Sequence, residues 1–189
     1  MSFTVKDTSL NDVYLVMPKV FGDKRGYNFE SWSKRDLPQL GLIYDWVQDN
    51  QSFSAKAGTL RGLHFQKGKY AQAKLVRVVR GTVMDYVVDL RKWSPTYLKW
   101  AGFELSAENK LQLLIPRGFA HGFVTLTDNV EFIYKLDNYY APTQESGIRF
   151  DDPTIGINWN VSDPILSDKD LKLPYLADLL NDDSGPLDF

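Results

Sequence analysis

The chain has 189 residues, 43% of them hydrophobic and 14% aromatic, and a formal charge of −2. This composition excludes disorder, and the length suits one domain with a sizeable core rather than two. Lysines and arginines are scattered, which excludes the basic footprint of a nucleic-acid binder but leaves room for a local anion pocket; the lack of cysteine excludes a disulfide framework, a thiolate nucleophile and a thiolate metal site.

The start, Met1-Ser-Phe-Thr-Val-Lys, has no basic segment followed by an apolar run, and no later stretch approaches bilayer length. A soluble cytoplasmic protein with no membrane partner is expected. Short apolar runs from Leu10 to Val20 and from Leu42 to Gln48 predict strands or strand-like arms, and Val13 to Val20 is suited to the edge of a sheet. Between them, Phe29 to Leu40 carries Trp32, Leu37 and Leu40 among charges and ends at Gly41, which predicts one short helix. From Lys74 to Leu90, Tyr97 to Leu105, Leu111 to Ile115, Gly122 to Leu126 and Val130 to Leu136, β-branched and aromatic residues recur in short runs. Gly81, Pro95, Asn109, Gly118 and Asp128-Asn129 punctuate them at the spacing of an antiparallel sandwich or barrel, so the fold class is all-β. Within Thr82 to Leu90, Asp85 and Asp89 fall among apolar neighbours, and buried carboxylates need partners. Ala141 to Pro164 reads as ordered loop, a helical turn is expected after Ser167, and the tail from about residue 176 reads as frayed.

Two histidines occur, His64 in Arg61-Gly-Leu-His-Phe-Gln and His121 in Pro116-Arg-Gly-Phe-Ala-His-Gly-Phe, and both are expected between strands beside glycines. Histidine is the side chain best suited to move protons near neutral pH; composition alone favours a structural imidazole satisfied by a carbonyl, and two histidines in similar contexts narrow that gap. Pro116-x-Gly-x-x-His121 resembles the second half of the cupin metal signature, but the first half offers His64-Phe-Gln66 in place of a second imidazole, and no glutamate follows at the usual spacing. Two imidazoles without a firm carboxylate make a poor transition-metal site, so no metal is expected.

Taken together, Arg61-Gly-Leu-His-Phe-Gln, Ala71-Gln-Ala-Lys-Leu-Val-Arg-Val-Val-Arg-Gly, Leu105-Ser-Ala-Glu-Asn, Ile115-Pro-Arg-Gly-Phe-Ala-His-Gly-Phe, Glu131-Phe-Ile-Tyr-Lys and Gly147-Ile-Arg-Phe-Asp-Asp-Pro resemble the dTDP-4-dehydrorhamnose 3,5-epimerases. Phe21-Gly-Asp-Lys-Arg-Gly, Val47-Gln-Asp-Asn and Ile165-Leu-Ser-Asp-Lys-Asp extend the likeness over roughly residues 10 to 175 in the family's order. The resemblance implies a cupin-like jelly roll with an N-terminal strand arm and short peripheral helices. It also implies a thymidine-diphosphate-linked 4-keto-6-deoxyhexose as substrate, and no cofactor. The C3 and C5 hydrogens of that sugar flank a ketone, so inversion needs a base on one face, an acid on the other and stabilisation of an enolate oxygen.

By the same resemblance His64 matches the base, Asp170 the carboxylate that orients it, Tyr134 the opposing acid and Lys74 the cation near the enolate. Arg61, Gln48 and Asn50 match residues holding the diphosphate and neighbouring sugar, while Phe21, Arg25, Glu30 and Tyr140 match those enclosing the thymidine. His121, Glu145 and Lys169 match further ligand contacts. Where the family commonly has two aromatics, this chain reads Tyr27-Asn28-Phe29, which implies a rearranged aromatic wall. A homodimer is implied as well, with the residues from Phe21 to Glu30 serving the neighbouring subunit's site. Three rivals are a mono-epimerase acting on one centre, a metal-dependent cupin oxidoreductase and a sugar-nucleotide-binding module without catalysis.

Overall fold

A computed structural model describes residues 2–181. The strands are β1 (Phe3–Asp7), β2 (Tyr14–Pro18), β3 (Phe21–Asp23), β4 (Gly26–Asn28), β5 (Gln48–Ser54), β6 (Leu60–Gln66), β7 (Lys74–Arg80), β8 (Thr82–Asp89), β9 (Trp100–Ser106), β10 (Gln112–Ile115), β11 (Phe119–Thr125), β12 (Val130–Leu136) and β13 (Glu145–Gly147). Two short helices follow, α1 (Asp168–Leu171) and α2 (Leu176–Asn181). A six-stranded sheet, β1-β2-β10-β7-β12-β5, faces a five-stranded sheet, β13-β6-β11-β8-β9, and β3 and β4 form a separate hairpin. This is the cupin-like jelly roll, with antiparallel neighbours throughout. Among the described residues no helix is long and apolar enough to cross a membrane.

Strand alternation decides which side chains share the space between the sheets. Val76 and Val78 of β7, Val83 and Val87 of β8, Phe119 and Phe123 of β11, and Val130 and Phe132 of β12 form one buried cluster there. The intervening residues turn outward and need cover. On the five-stranded sheet, Met84, Tyr86 and Val88 meet Ile155, Trp159, Leu176 and Leu179 from the C-terminal segment. On the six-stranded sheet, Leu75, Leu114 and Val16 meet Leu37 and Leu42, with Trp32, Tyr44 and Trp46 packed beside them.

Several expectations need correction. Of the two forms expected for Leu42 to Gln48, strand or strand-like arm, the stretch before Gln48 is the arm: Leu42, Tyr44 and Trp46 alternate onto the sheet's outer face, yet it has no ladder partner. Phe29 to Leu40 yields only a 3-10 turn, Pro38–Leu40, because proline cannot donate inside a longer helix and Gly41, at φ 83°, ends it. Val13 to Val20 contributes β2, but β1 lies outside it, so the sheet edge is Phe3–Asp7. Residues 176–181 are helical, not frayed, since Leu176 and Leu179 are buried; the rest of the tail, 182–189, lies outside the described residues. Both histidines sit within strands, His64 in β6 and His121 in β11, rather than between them.

The neighbouring glycines serve close approach instead of turns. β6 carries an extra residue against β11: His121 faces His64, whereas Phe123 faces Arg61. This bulge lets Arg61 and His64, three apart, both point between the sheets. At Gly62, with φ 125°, an added Cβ would stand 2.5 Å from the Gly122 Cα and 2.9 Å from the His121 carbonyl oxygen. Gly62→Ala is therefore expected to destabilise the fold by ~1–3 kcal/mol through overpacking, with backbone strain added. A thermal or denaturant midpoint equal to the parent's would refute that close packing.

Candidate active site

One end of the space between the sheets is not filled. A cavity of about 450 Å³ opens there, above the stacked rings of Phe123 and Phe132, whose centroids lie 4.3 Å apart. That volume suits a small-molecule ligand.

From the five-stranded sheet, β6 presents His64 to the cavity. Its Nε2 lies 2.6 Å from Oδ1 of Asp170, leaving Nδ1 as the ring's basic atom. Asp170 comes from α1, and local chemistry explains its arrival. Residues around Ile165 run beside the start of β6, with Ile165 N–H donating to the Gly58 carbonyl (2.8 Å) and Leu60 N–H to the Ile165 carbonyl (2.9 Å). Ser167 then caps α1 by accepting from the Asp170 N–H at 3.1 Å. Burial alone would raise the Asp170 carboxyl, but the His64 hydrogen bond and charge, with Ser167 and the Gly62 backbone, hold it below the usual carboxylate range.

The facing sheet supplies Tyr134 from β12 and Lys74 from β7. Asn50 Nδ2 donates to the Tyr134 hydroxyl at 3.1 Å, and Gln48 Nε2 donates to Asn50 Oδ1 at 2.9 Å. Burial lowers the Lys74 ammonium to about 8, against the opposing pull of Asp85 and Glu145. Arg61 is held by Ser54 Oγ at 3.2 Å and the Phe53 carbonyl at 3.0 Å, which aims its fork along the wall. At the rim, Glu145 Oε2 accepts from the Tyr140 hydroxyl and from Lys169 Nζ, each at 2.6 Å. Burial tends to raise Glu145, but Lys169 and Tyr140 hold it below its ordinary value.

The fold thus brings His64, Asp170, Tyr134, Lys74, Gln48, Asn50, Arg61, His121, Tyr140, Glu145 and Lys169 to one cavity. Phe21, Arg25 and Glu30 do not join them within the chain. Phe21 is 57% exposed on the β3–β4 hairpin, where Arg25 pairs with Asp23 at 2.6 Å. Beside that hairpin the expected aromatic wall folds onto its own chain: Tyr27 stacks on Phe29 at 5.9 Å, under Lys110 and Arg77. Sequence reasoning missed Ser52 and Gln66, which also line the cavity. Ser52 was findable, since it lies two residues beyond Asn50 on the same face of β5. Gln66, which braces the Tyr139–Ala141 loop through hydrogen bonds to the Tyr139 carbonyl and the Ala141 N–H, carried no local signal. Among the described residues no three histidine or carboxylate side chains are grouped as a metal site.

A jelly-roll mouth in which a carboxylate-backed imidazole faces a phenol across a cavity is equipped to take a proton from one side of a ligand and return one from the other, which is the work of an isomerase. The sequence model of the dTDP-4-dehydrorhamnose 3,5-epimerase family matches residues 7–178. An enzyme of that name from Salmonella typhimurium is 53% identical over 175 residues, covering 92% of this chain and 95% of its own. The crystal structure of the Bacillus anthracis dTDP-4-dehydrorhamnose 3,5-epimerase with TDP and PPi bound is 50% identical, covers 92% of this chain and 99% of its own, and superposes with a TM-score of 0.90. The Legionella pneumophila dTDP-6-deoxy-D-glucose-3,5-epimerase in complex with dTDP-4-keto-L-rhamnose is 40% identical, with a TM-score of 0.90 over 99% of this chain and 98% of its own. The chain belongs to the dTDP-4-dehydrorhamnose 3,5-epimerase family.

Proposed function

We propose that this protein inverts C3 and C5 of a dTDP-linked 4-keto-6-deoxyglucose, giving the 4-keto-L-rhamnose nucleotide without a cofactor. The observation that carries the reading is the His64 Nε2 to Asp170 Oδ1 contact of 2.6 Å on one wall of the cavity, with Tyr134 on the other. In this mechanism His64 Nδ1 removes a proton made acidic by the adjacent ketone, and Asp170 balances the imidazolium that results. Lys74 stabilises the enolate oxygen, a role strengthened by the dry wall around it. Tyr134 returns a proton to the opposite face, with Asn50 holding the hydroxyl in place.

Arg61, Gln48 and Asn50 are suited to the diphosphate and adjoining sugar, and Tyr140 to stacking on the nucleoside. His121, Glu145 and Lys169 complete the ligand contacts. Phe21, Arg25 and Glu30, exposed in one chain, serve the site of a second copy in a cytoplasmic homodimer built of single-domain subunits. Incubation with the 4-keto sugar nucleotide in D2O, read by NMR, is expected to place deuterium at both C3 and C5. Label at one carbon alone would make the protein a mono-epimerase, and label at neither would remove the enzymatic reading.

A further inference from the structure

The mechanism above gives no task to the buried acid that backs His121. Asp85 of β8 is 0% exposed and points between the sheets with Val83 and Val87. Both of its oxygens lie within hydrogen-bond distance of His121 Nε2, at 2.9 and 3.0 Å. His121 lies opposite His64 on the neighbouring strand and lines the same cavity, where its ring stacks on Phe132 at 6.2 Å between centroids. The site therefore holds two imidazoles side by side, each with its own carboxylate.

The groups around this second pair decide its charge. Lys74 of β7 and His64 of β6 both press on His121, and Glu145 of β13 bears on Lys74 and His64. Asp170 of α1 balances His64 from the far side. A cation at His121, which is 7% exposed, would sit beside the Lys74 ammonium and beside the imidazolium that His64 becomes during turnover, where burial weakens screening. Burial likewise lowers His121 and raises Asp85.

We propose that Asp85 is a positioning residue: by taking the Nε2–H of His121 on both oxygens it fixes a neutral tautomer whose Nδ1 is a bare acceptor. His121 then receives a hydroxyl of the sugar and stays out of the proton transfers performed beside it. The charge of the same carboxylate favours the Lys74 ammonium. The assignment rests on the proposed epimerase reading for its substrate, but its tautomer does not.

With only two histidines in the sequence, two-bond 1H–15N correlation spectra resolve each ring, and His64→Ala assigns them. The expected result for the unsubstituted protein is a neutral, Nε2-protonated His121 from pH 6 to 8; a doubly protonated or Nδ1-protonated ring overturns the proposal whether or not any variant folds. In Asp85→Asn the amide can donate to Nε2 and reverse the tautomer, and kcat/KM is expected to fall by about 10- to 100-fold, the range for losing the partner that orients a functional histidine. Loss of the Lys74 proton, on an ammonium that burial lowers to about 8, is expected to give an alkaline fall in activity, and in this variant that fall is expected at lower pH because the Asp85 charge that favours the ammonium is gone. A lowered melting temperature with an unmoved tautomer, pH profile and kcat/KM would reduce Asp85 to a structural acid. Failure of the unsubstituted protein to exchange deuterium would instead remove the epimerase reading and leave the tautomer result standing.

Discussion

His64→Ala is expected to abolish deuterium entry at both C3 and C5, lowering turnover by about 10³-fold or more, within the range that positioned proton transfer supplies. The expectation follows from the dyad. Removing the ring takes away the base and leaves Asp170, 4% exposed, without the partner that holds its pKa down. The fold should survive, since His64 is partly exposed and its side chain bonds to Asp170 at the cavity wall rather than in the core. Time-resolved NMR in D2O checks the outcome. Residual exchange at a single carbon would reveal a second base, and His121, facing His64 across the strand pair, would be the one to suspect.

Tyr134→Phe should separate the two halves of the reaction. Abstraction by His64 is retained, so deuterium still enters, while delivery from the other wall is lost and inverted product falls by about 10²-fold, the lower range for a missing general acid. Asn50 loses the acceptor it meets at 3.1 Å, a further cost at a half-buried site. The ratio of label retained without inversion to inverted product, read from NMR coupling patterns, is the decisive quantity. Unchanged stereochemical outcome would mean that the acid is another group.

The strands that the sequence revealed are those whose inward positions are apolar. β7, β8 and β12 alternate Val76 and Val78, Val83 and Val87, Val130 and Phe132 toward the core, and such a pattern is visible without coordinates. β5 and β6 escaped notice for the opposite reason. Their inward residues are Gln48, Asn50 and Ser52, then Arg61 and His64, polar because they face the cavity, so no apolar alternation marks these strands. Conversely, Leu42, Tyr44 and Trp46 look like a strand but gain their burial from the sheet's outer face. The pairing of His64 with Asp170 left no local trace and was legible only through family resemblance, because it depends on a parallel bridge between Thr59 and Ile165. Asp85 was recognisable as an acid needing a partner, but which partner depended on the register between β8 and β11.

Asp170 follows His64 by 106 residues and rides on a four-residue helix that has no stability of its own. Every strand and most of the pocket lining precede that helix in the sequence, yet without it the imidazole would lack a counter-charge. The receptacle is thus built by the strands, and the counter-charge that gives its imidazole reactivity comes from the segment docked along β6.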